Sequence, residues 1–191
     1  MDCPGNKVSP TMNGSVLWIT GYSGSGKTTV ARQLVDYFRK GNKAVVHLDG
    51  DELRQAIGQG IGYSSDERKH LSFLYSKLCK LLSDQGLMVI WSGIAMFNEV
   101  RQWNRENIRR YYEVYLKVPL DELKTRDQKQ LYSQSAAEKI EPVVGLTLRG
   151  EEPKQANLVV PNFGSTTPQD SVKRILDGFH EWITNYVEII N

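Results

Sequence analysis

A glycine-rich stretch near the amino terminus is the part of the chain best suited to chemistry. Residues 21–29 read Gly-Tyr-Ser-Gly-Ser-Gly-Lys-Thr-Thr and match the pattern G-x-x-x-x-G-K-[ST]. Glycines let the backbone curl so that several N–H groups point at one anion. Lys27 can then reach the β- and γ-phosphates of a nucleotide, and the Thr28 hydroxyl can ligate Mg²⁺. The stretch predicts a nucleoside triphosphate site; the alternative is a glycine-rich turn without a ligand.

Two acids follow the second apolar run, in the order Asp49-Gly50-Asp51. Ligands of an open parallel sheet bind beyond the carboxyl ends of its strands, where the glycine-rich stretch would also lie. One acid can hold Mg²⁺ or its waters, and the other can accept a proton from an attacking hydroxyl. The alternative is that Asp49 is a turn residue and Asp51 an N-cap. We expect at least one of the two acids to be catalytic.

Arg54, Tyr63 and Arg68 come soon after these acids. Two guanidinium groups and an aromatic ring would suit an acceptor that carries an anion and a flat ring. Each of the three could instead be an ordinary surface residue.

Other classes of phosphate-binding-loop protein fit the sequence less well. The one Asn-Lys pair, Asn42-Lys43, leads into a predicted strand and cannot select guanine as a GTPase requires. The apolar run at 87–91 ends in Ser92-Gly93, without the acid that motor ATPases place there. A small-molecule kinase is the class that these features favour.

Composition sets the limits of the protein. The chain has 191 residues and a net charge of +2, which is enough for one α/β domain and does not favour a nucleic acid polymer as partner. The two cysteines, Cys3 and Cys79, form no metal-binding motif. There is no apolar signal region and no apolar run near 18 residues, so we expect a cytoplasmic protein that does not enter membranes.

The elements that must position these residues follow from hydrophobic periodicity. Apolar runs alternate with amphipathic ones, which predicts an α/β fold with a mainly parallel sheet and helices on both faces. After a flexible tail at 1–14, we expect a single domain over 15–191. The predicted strands are Val16–Thr20, 44–48, 87–92, 112–118 and 158–160, and the predicted helices are Lys27–Lys40, 65–85, 98–109, Leu120–Arg126 and 168–186.

A polar segment at 127–157 interrupts this alternation and carries several basic side chains and two glycines. A connection of this length inside a compact domain is usually functional or disordered. In a phosphate-transfer enzyme, it predicts a lid that closes over the nucleotide. The alternative is a plain surface loop.

Taken together, these motifs resemble the adenylylsulfate kinase family, whose members phosphorylate the 3′-hydroxyl of adenosine 5′-phosphosulfate with MgATP. The resemblance runs from about residue 15 to 162. It rests on the glycine-rich stretch, on Leu-Asp-Gly-Asp at 48–51 with Arg54, on Gly-Tyr-Ser and Asp-Glu-Arg over 62–68, and on Arg-Asp-Gln-Lys-Gln-Leu-Tyr at 126–132.

The resemblance implies a role for each matching residue. Asp51 would be the base near the 3′-hydroxyl, Lys27 would stabilise the transferred phosphate, and Asp49 would assist Thr28 in holding Mg²⁺. The residues that would bind ATP are Gly21, Ser23, Gly24, Ser25, Gly26, Lys27, Thr28, Thr29, Arg126 and Lys129. Those that would hold the acceptor are Arg54, Tyr63, Arg68 and Ile94. The family also implies a homodimer.

The sequence departs from the family where the acceptor should bind. Leu71 stands at an acceptor-contacting Asn position, 92–97 replaces Phe-Ile-Ser-Pro-Phe/Tyr, and Val143 replaces a Phe that stacks on the acceptor base. Base stacking on an aromatic contributes on the order of 1–3 kcal/mol. A different nucleotide-linked acceptor, such as cytidine diphosphoramidate in surface-polysaccharide modification, is therefore a rival to adenosine 5′-phosphosulfate.

The stretch at 98–105, with Trp103 and several arginines, permits two interpretations. These side chains could line the acceptor pocket, or they could belong to an amphipathic helix whose tryptophan packs on the core.

Overall fold

Strands and helices alternate along the chain, as the hydrophobic periodicity predicts. The computed structural model describes residues 14–57, 64–126 and 150–190, with side chains described as far as residue 186. Within these ranges, the elements are β1 (Val16–Thr20), α1 (Lys27–Lys40), β2 (Val45–Asp49), α2 (Gly50–Ile57), α3 (Ser65–Asp84), β3 (Met88–Gly93), α4 (Asn98–Asn107), β4 (Tyr111–Lys117), α5 (Leu120–Arg126), β5 (Leu158–Pro161) and α6 (Pro168–Ile190).

The five strands form one parallel sheet in the order β2-β3-β1-β4-β5. The strand that leads into the glycine-rich loop, β1, is therefore central, and β3 separates it from β2. All carboxyl ends meet at the same edge of a parallel sheet. The register pairs Asp49 with Ser92, so the acid that ends β2 lies beside the end of β3.

Each face of the sheet has its own core. On one face, α1 and α6 pack on the sheet through side chains such as Leu34, Phe38 and Phe179. On the other face, α3 and α4 cover Trp18 and Trp91, whose rings stack with centroids 3.6 Å apart. These tryptophans are partners in the β1–β3 register, which explains how two such large side chains share one core. The α/β fold with helices on both faces is confirmed.

The predicted bounds match the observed ones or differ from them by at most two residues, except at the end of α6. The prediction of α4 as far as residue 109 was wrong, because Ile108 takes an extended conformation and is buried at the entry to β4. Helix α6 continues to Ile190, beyond the predicted end at 186. Cys79 is buried, as its apolar helix face predicts. Residues 1–13 of the tail predicted at 1–14 and residues 127–149 of the lid predicted at 127–157 lie outside the described residues.

In the part of the chain that the structure describes, none of the helices combines the length and the apolar character that a membrane-spanning segment needs.

Candidate active site

The glycine-rich loop joins β1 to α1 at the carboxyl edge of the sheet. Gly26, just before α1, has φ = 90°, which is left-handed backbone that glycine adopts at little cost. A Cβ at this position would lie 2.8 Å from Nδ2 of Asn162. The glycine therefore allows both the turn and the close approach of a neighbouring side chain.

Asn162 is a residue that sequence reasoning missed. It is buried just after β5, where its Nδ2 donates to the carbonyl oxygen of Ser25 at 2.7 Å and its Oδ1 accepts from the Ser171 hydroxyl at 2.7 Å. Its backbone N–H also donates to the carbonyl of Lys117. Asn162 thus ties the loop to α6 and to the end of β4. A polar residue directly after a predicted strand was the one signal that could have found it.

Lys27 begins α1 and its side chain is 8% exposed. Its Nζ donates to the carbonyl oxygen of Tyr22 at 2.7 Å, so the ammonium group bends back over the loop. This position places the positive charge over the glycine-rich loop, which suits binding of nucleotide phosphates.

Asp49 receives hydrogen bonds from three directions. Its Oδ2 accepts from the Thr28 hydroxyl at 2.8 Å and from the Ser92 hydroxyl at 2.8 Å, while its Oδ1 accepts from the N–H of Asp51 at 3.0 Å. Burial raises the pKa of Asp49, but the hydrogen bonds from Ser92, Thr28, and the amides of Asp51 and Glu52 outweigh it and hold the pKa below its ordinary value. The carboxylate is consequently ionised at neutral pH.

Ser92 links Asp49 to a histidine. Because the Ser92 hydroxyl donates to Asp49, its lone pair must accept from Nε2–H of His47, 3.0 Å away. Burial lowers the pKa of His47. The direction of the chain is therefore His47 to Ser92 to Asp49. Sequence reasoning missed this role, since it depends on the strand order that places β3 beside β2.

Asp51 lies in the first turn of α2 and is exposed at the carboxyl edge. The alternative that Asp51 is the N-cap was wrong: Asp49 precedes the helix and accepts the Asp51 N–H, as a capping side chain does. Gly50 allows the close approach there, since a Cβ on it would lie 3.4 Å from Cα of Gly93. Asp49 and Asp51 are thus close together, but Asp49 is buried and Asp51 is exposed to solvent.

Arg126 is placed beside the loop, in a cleft of about 280 Å³. Its Nε also pairs with Oε1 of Glu122, one turn earlier in α5, at 3.0 Å. The cleft is lined by Gly24, Gly26, Thr29, Val30, Arg126, Asn162, Thr166 and Pro168. The structure therefore brings together four of the residues predicted to bind ATP.

The predicted acceptor residues lie on three elements. Arg54 follows Asp51 by three positions in α2, and Arg68 is in the first turn of α3; both are half-buried. Ile94 directly follows β3 and packs against a cluster that includes Tyr22 of the glycine-rich loop. Tyr63 and Lys129 lie outside the described residues, so their roles remain predictions.

Leu71 of α3 and Trp103 of α4 belong to the core on the face of the sheet that α3 and α4 cover. Leu71 is 1% exposed and packs among Tyr75, Trp91 and Ala95, so an apolar core contact replaces the polar one. Trp103 packs against the same core, with its ring edge-to-face to Phe73. The interpretation of 98–105 as an amphipathic helix on the core is confirmed.

No group of three or more His, Cys, Asp or Glu side chains that could hold a metal ion occurs among the described residues. Thr28 and Asp49, with one hydroxyl and one carboxylate, instead suit a Mg²⁺ ion that arrives with phosphate ligands of its own. The Thr28 and Asp49 donor set thus fits an ion that the nucleotide carries.

Comparison with known proteins agrees with this geometry. The sequence model described as adenylylsulphate kinase matches residues 13–161. The chain is 37% identical over 164 residues to the cytidine diphosphoramidate kinase of Campylobacter jejuni, covering 86% of this chain and 95% of that protein. It is 35% identical over 164 residues to the adenylyl-sulfate kinase of Pseudomonas aeruginosa, covering 85% and 83%.

Among solved structures, the APS kinase of Mycobacterium tuberculosis in complex with AMPPNP and APS superposes with a TM-score of 0.82. That likeness comes at 27% sequence identity and covers 88% of this chain and 98% of the other. Both the matched residues and the fold lead to one conclusion. The chain belongs to the adenylylsulfate kinase family and is a phosphotransferase with its α/β phosphate-binding-loop fold.

Proposed function

We propose that this protein transfers the γ-phosphate of ATP to the ribose 3′-hydroxyl of a nucleotide acceptor. The observation that carries the proposal is the junction of Thr28 with Asp49, whose side chains meet at 2.8 Å beside Lys27 and the loop amides. This junction combines phosphate-binding groups with an ionised carboxylate at the carboxyl edge of the sheet.

The donor side of the reaction uses the loop and the start of α1. Lys27 and the loop amides would hold the β- and γ-phosphates, and Arg126 would contact ATP from the cleft. Thr28 and Asp49 would hold Mg²⁺, which when bound neutralises charge on the phosphates. Positive groups and N–H donors at this place stabilise the charge that spreads over the transferred phosphoryl group.

The acceptor side uses α2, α3 and the loop after β3. Since both oxygens of Asp49 accept hydrogen bonds within the protein, Asp51 is the better base for the 3′-hydroxyl. Arg54 and Arg68 would bind the acceptor's anionic groups. Ile94, with Tyr63 as predicted from the sequence, would contact its base or sugar.

Adenosine 5′-phosphosulfate is the first candidate acceptor, because it is the substrate that the family implies. The second is cytidine diphosphoramidate. Two observations favour the second. The similarity to the Campylobacter jejuni kinase extends over 95% of that protein. In addition, Leu71 is buried in the core at a position where the family has an Asn that contacts the acceptor. Transfer of a phosphate to the 3′-hydroxyl is common to both.

The test is release of ADP from MgATP with each acceptor in turn, at micromolar concentration and with cytidine diphosphate as a control nucleotide. Turnover of adenosine 5′-phosphosulfate would place the protein in sulfate activation. Turnover of the cytidine compound alone would assign it to the second candidate. Phosphorus NMR of the product would locate the new phosphate. Transfer to a position other than the 3′-hydroxyl, or no turnover with any nucleotide, would contradict the proposal.

A Ser92→Ala variant tests the assignment of Asp49. Loss of this hydrogen bond frees one side of Oδ2 while the bond from Thr28 stays, so the carboxylate is less well oriented for Mg²⁺. We expect the Mg²⁺ concentration for half-maximal ATP binding to rise by a factor on the order of five, the scale of one charge-assisted hydrogen bond partly lost. A fluorescent ATP analogue titrated with Mg²⁺ measures this value.

The matched control is Ser76→Ala. Ser76 is equally buried but donates to the carbonyl of Ser72 within α3, far along the chain from Asp49. This variant should keep the Mg²⁺ dependence of the wild type. An unchanged Mg²⁺ dependence of ATP binding in Ser92→Ala would show that the Ser92 hydrogen bond does not orient Asp49 for Mg²⁺.

The remaining expectations for the intact protein stay predictions: a homodimer, a cytoplasmic location, and no binding to nucleic acid polymers. A lid over 127–157 belongs with them. Size-exclusion chromatography with light scattering would test the first of these directly.

A further inference from the structure

One arginine in α4 joins three separate parts of the fold. The side chain of Arg101 is 1% exposed. Its Nη1 donates to the carbonyl oxygen of Ala95 at 3.1 Å, and its Nη2 donates to the carbonyl oxygen of Glu151 at 2.7 Å and to Oδ1 of Asn98. Its Nε lies 3.4 Å from Oε1 of Glu113 in β4. The guanidinium thus contacts the loop after β3, the segment after residue 149, and the sheet.

Glu113 anchors this arrangement. Its side chain is fully buried within the sheet, and its Oε2 pairs with Nη2 of Arg105 at 2.5 Å. Its backbone N–H donates to Oδ1 of Asn157 at 2.8 Å, which holds the approach to β5. The buried Glu113 carboxylate therefore has a hydrogen-bonded partner in Arg105 and an ion-pair partner in Arg101, whose charge it keeps inside the fold.

The segment at 150–157 lies between the two substrate sides of the proposed site. Glu151 donates its N–H to the carbonyl of Met96 at 2.9 Å, and its carboxylate accepts from the N–H of Asn98 at the start of α4. The next residue, Glu152, accepts from the Tyr22 hydroxyl at 3.5 Å. The hydrogen bond from Glu151 to the loop after β3 is therefore shorter than the one that joins Glu152 to the glycine-rich loop.

The glycine-rich loop has supports of its own. Asn162 holds the carbonyl of Ser25, and Asp49 holds the Thr28 hydroxyl, and neither contact involves Arg101. The loop after β3 is different, because two of its backbone carbonyls, those of Ala95 and Met96, are held by Arg101 and Glu151. Loss of the Arg101 side chain should thus weaken binding of the acceptor more than binding of ATP.

We propose that Arg101 is a positioning residue for the acceptor: held by Glu113, it fixes the Ala95 and Glu151 carbonyls and so sets the loop that begins at Ile94. The inference rests on the proposed function, since it assigns Arg101 to the acceptor side of that reaction. Arg101 does not touch substrate in this account. It acts through the backbone of 94–98.

The first test is Arg101→Lys. Lysine keeps the charge but has one ammonium group, which cannot reproduce the planar fork that reaches two carbonyls and a carboxylate at once. We expect the KM for the acceptor to rise about tenfold or more, as an interface that loses a bidentate contact does, while the Kd for ATP stays within about twofold. Acceptor kinetics and binding of a fluorescent ATP analogue give the two values.

A second variant covers the case in which Arg101→Lys fails to fold, since opening a buried ion pair can be strongly destabilising. Glu151→Ala removes one exposed carboxylate and its contact with the Asn98 N–H. We expect the acceptor KM to rise by a few-fold, in line with one lost hydrogen bond, with the Kd for ATP unchanged. The matched control is Glu106→Gln, an exposed acid whose Oε1 accepts from the exposed Gln102 side chain in the same helix.

A merely structural role for Arg101 predicts a different pattern. Ile175→Val, in the core on the opposite face, provides a destabilised protein with Arg101 intact. Equal losses on the acceptor and ATP sides, or an acceptor KM unchanged in both folded variants, would overturn the inference while leaving the proposed function standing. Absence of turnover by the wild type with every nucleotide acceptor would overturn the proposed function and this inference together.

Discussion

Replacing Lys27 by alanine is expected to lower kcat by at least about 100-fold, the scale that follows loss of a group that stabilises transition-state charge. The side chain is almost fully buried and its Nζ is held at 2.7 Å from the Tyr22 carbonyl, above the loop that would bind the phosphates. Its charge is therefore positioned before the nucleotide arrives. The measurement is kcat at saturating MgATP and acceptor.

Lys40→Ala is the matched control for this prediction. Lys40 is an exposed lysine in the last turn of the same helix, α1, so its loss removes an equal charge without touching the loop. Thermal unfolding should show that both variants are folded. Turnover within a few-fold of the wild type in folded Lys27→Ala would mean that the loop does not carry the transferred phosphate.

Replacing Asp51 by alanine is also expected to lower kcat by at least about 100-fold, because general base catalysis contributes on this scale. Asp49 already accepts hydrogen bonds from Thr28, Ser92 and the Asp51 amide, and its proposed role is to hold Mg²⁺ together with Thr28. Asp51 stands two residues beyond Asp49, the last residue of β2, and it is exposed at the edge of the sheet where ligands bind. Single-turnover kinetics with saturating ATP would isolate the chemical step.

The chain offers a close control in Glu52. It is the neighbouring acid in the first turn of α2, and its carboxylate pairs with Arg32 at 3.2 Å on the exposed surface. Glu52→Ala should retain nearly all activity. If folded Asp51→Ala keeps near-normal turnover, the base is another group and the assignment of Asp51 is wrong.

Fold class was predictable because it depends on local patterns. The apolar run of β1 and the amphipathic run of α1 indicate a strand and a helix through their periodicity. Glycines and polar residues next to such runs indicate where each element ends. The glycine-rich motif, in turn, predicted a phosphate site because its residues are contiguous. Such features need no knowledge of which strands are neighbours. The element types were confirmed in the described residues and the family by the sequence model, while the phosphate site stays a prediction.

Contacts between distant segments were not predictable in this way. The sequence places Ser92 at the end of a predicted strand and within the 92–97 departure from the family. Neither feature predicts that its hydroxyl donates to Asp49, which follows from the position of β3 beside β2. Asn162 supports a loop 137 residues earlier in the chain. Arg101 was considered for the acceptor pocket, but the buried carboxylate of Glu113 holds it inside the fold. No spacing in the sequence indicates these partners.

By itself, the sequence determined that the protein is an α/β phosphate-binding-loop kinase with acids after its second strand, because local periodicity and one contiguous motif contain that information. Only the tertiary structure decided which side chains meet at the carboxyl edge of the sheet. The order of the sheet places Ser92 and Thr28 on Asp49 and leaves Asp51 at the open edge. Those relations depend on which strands pair, and pairing is settled only when the whole core packs together.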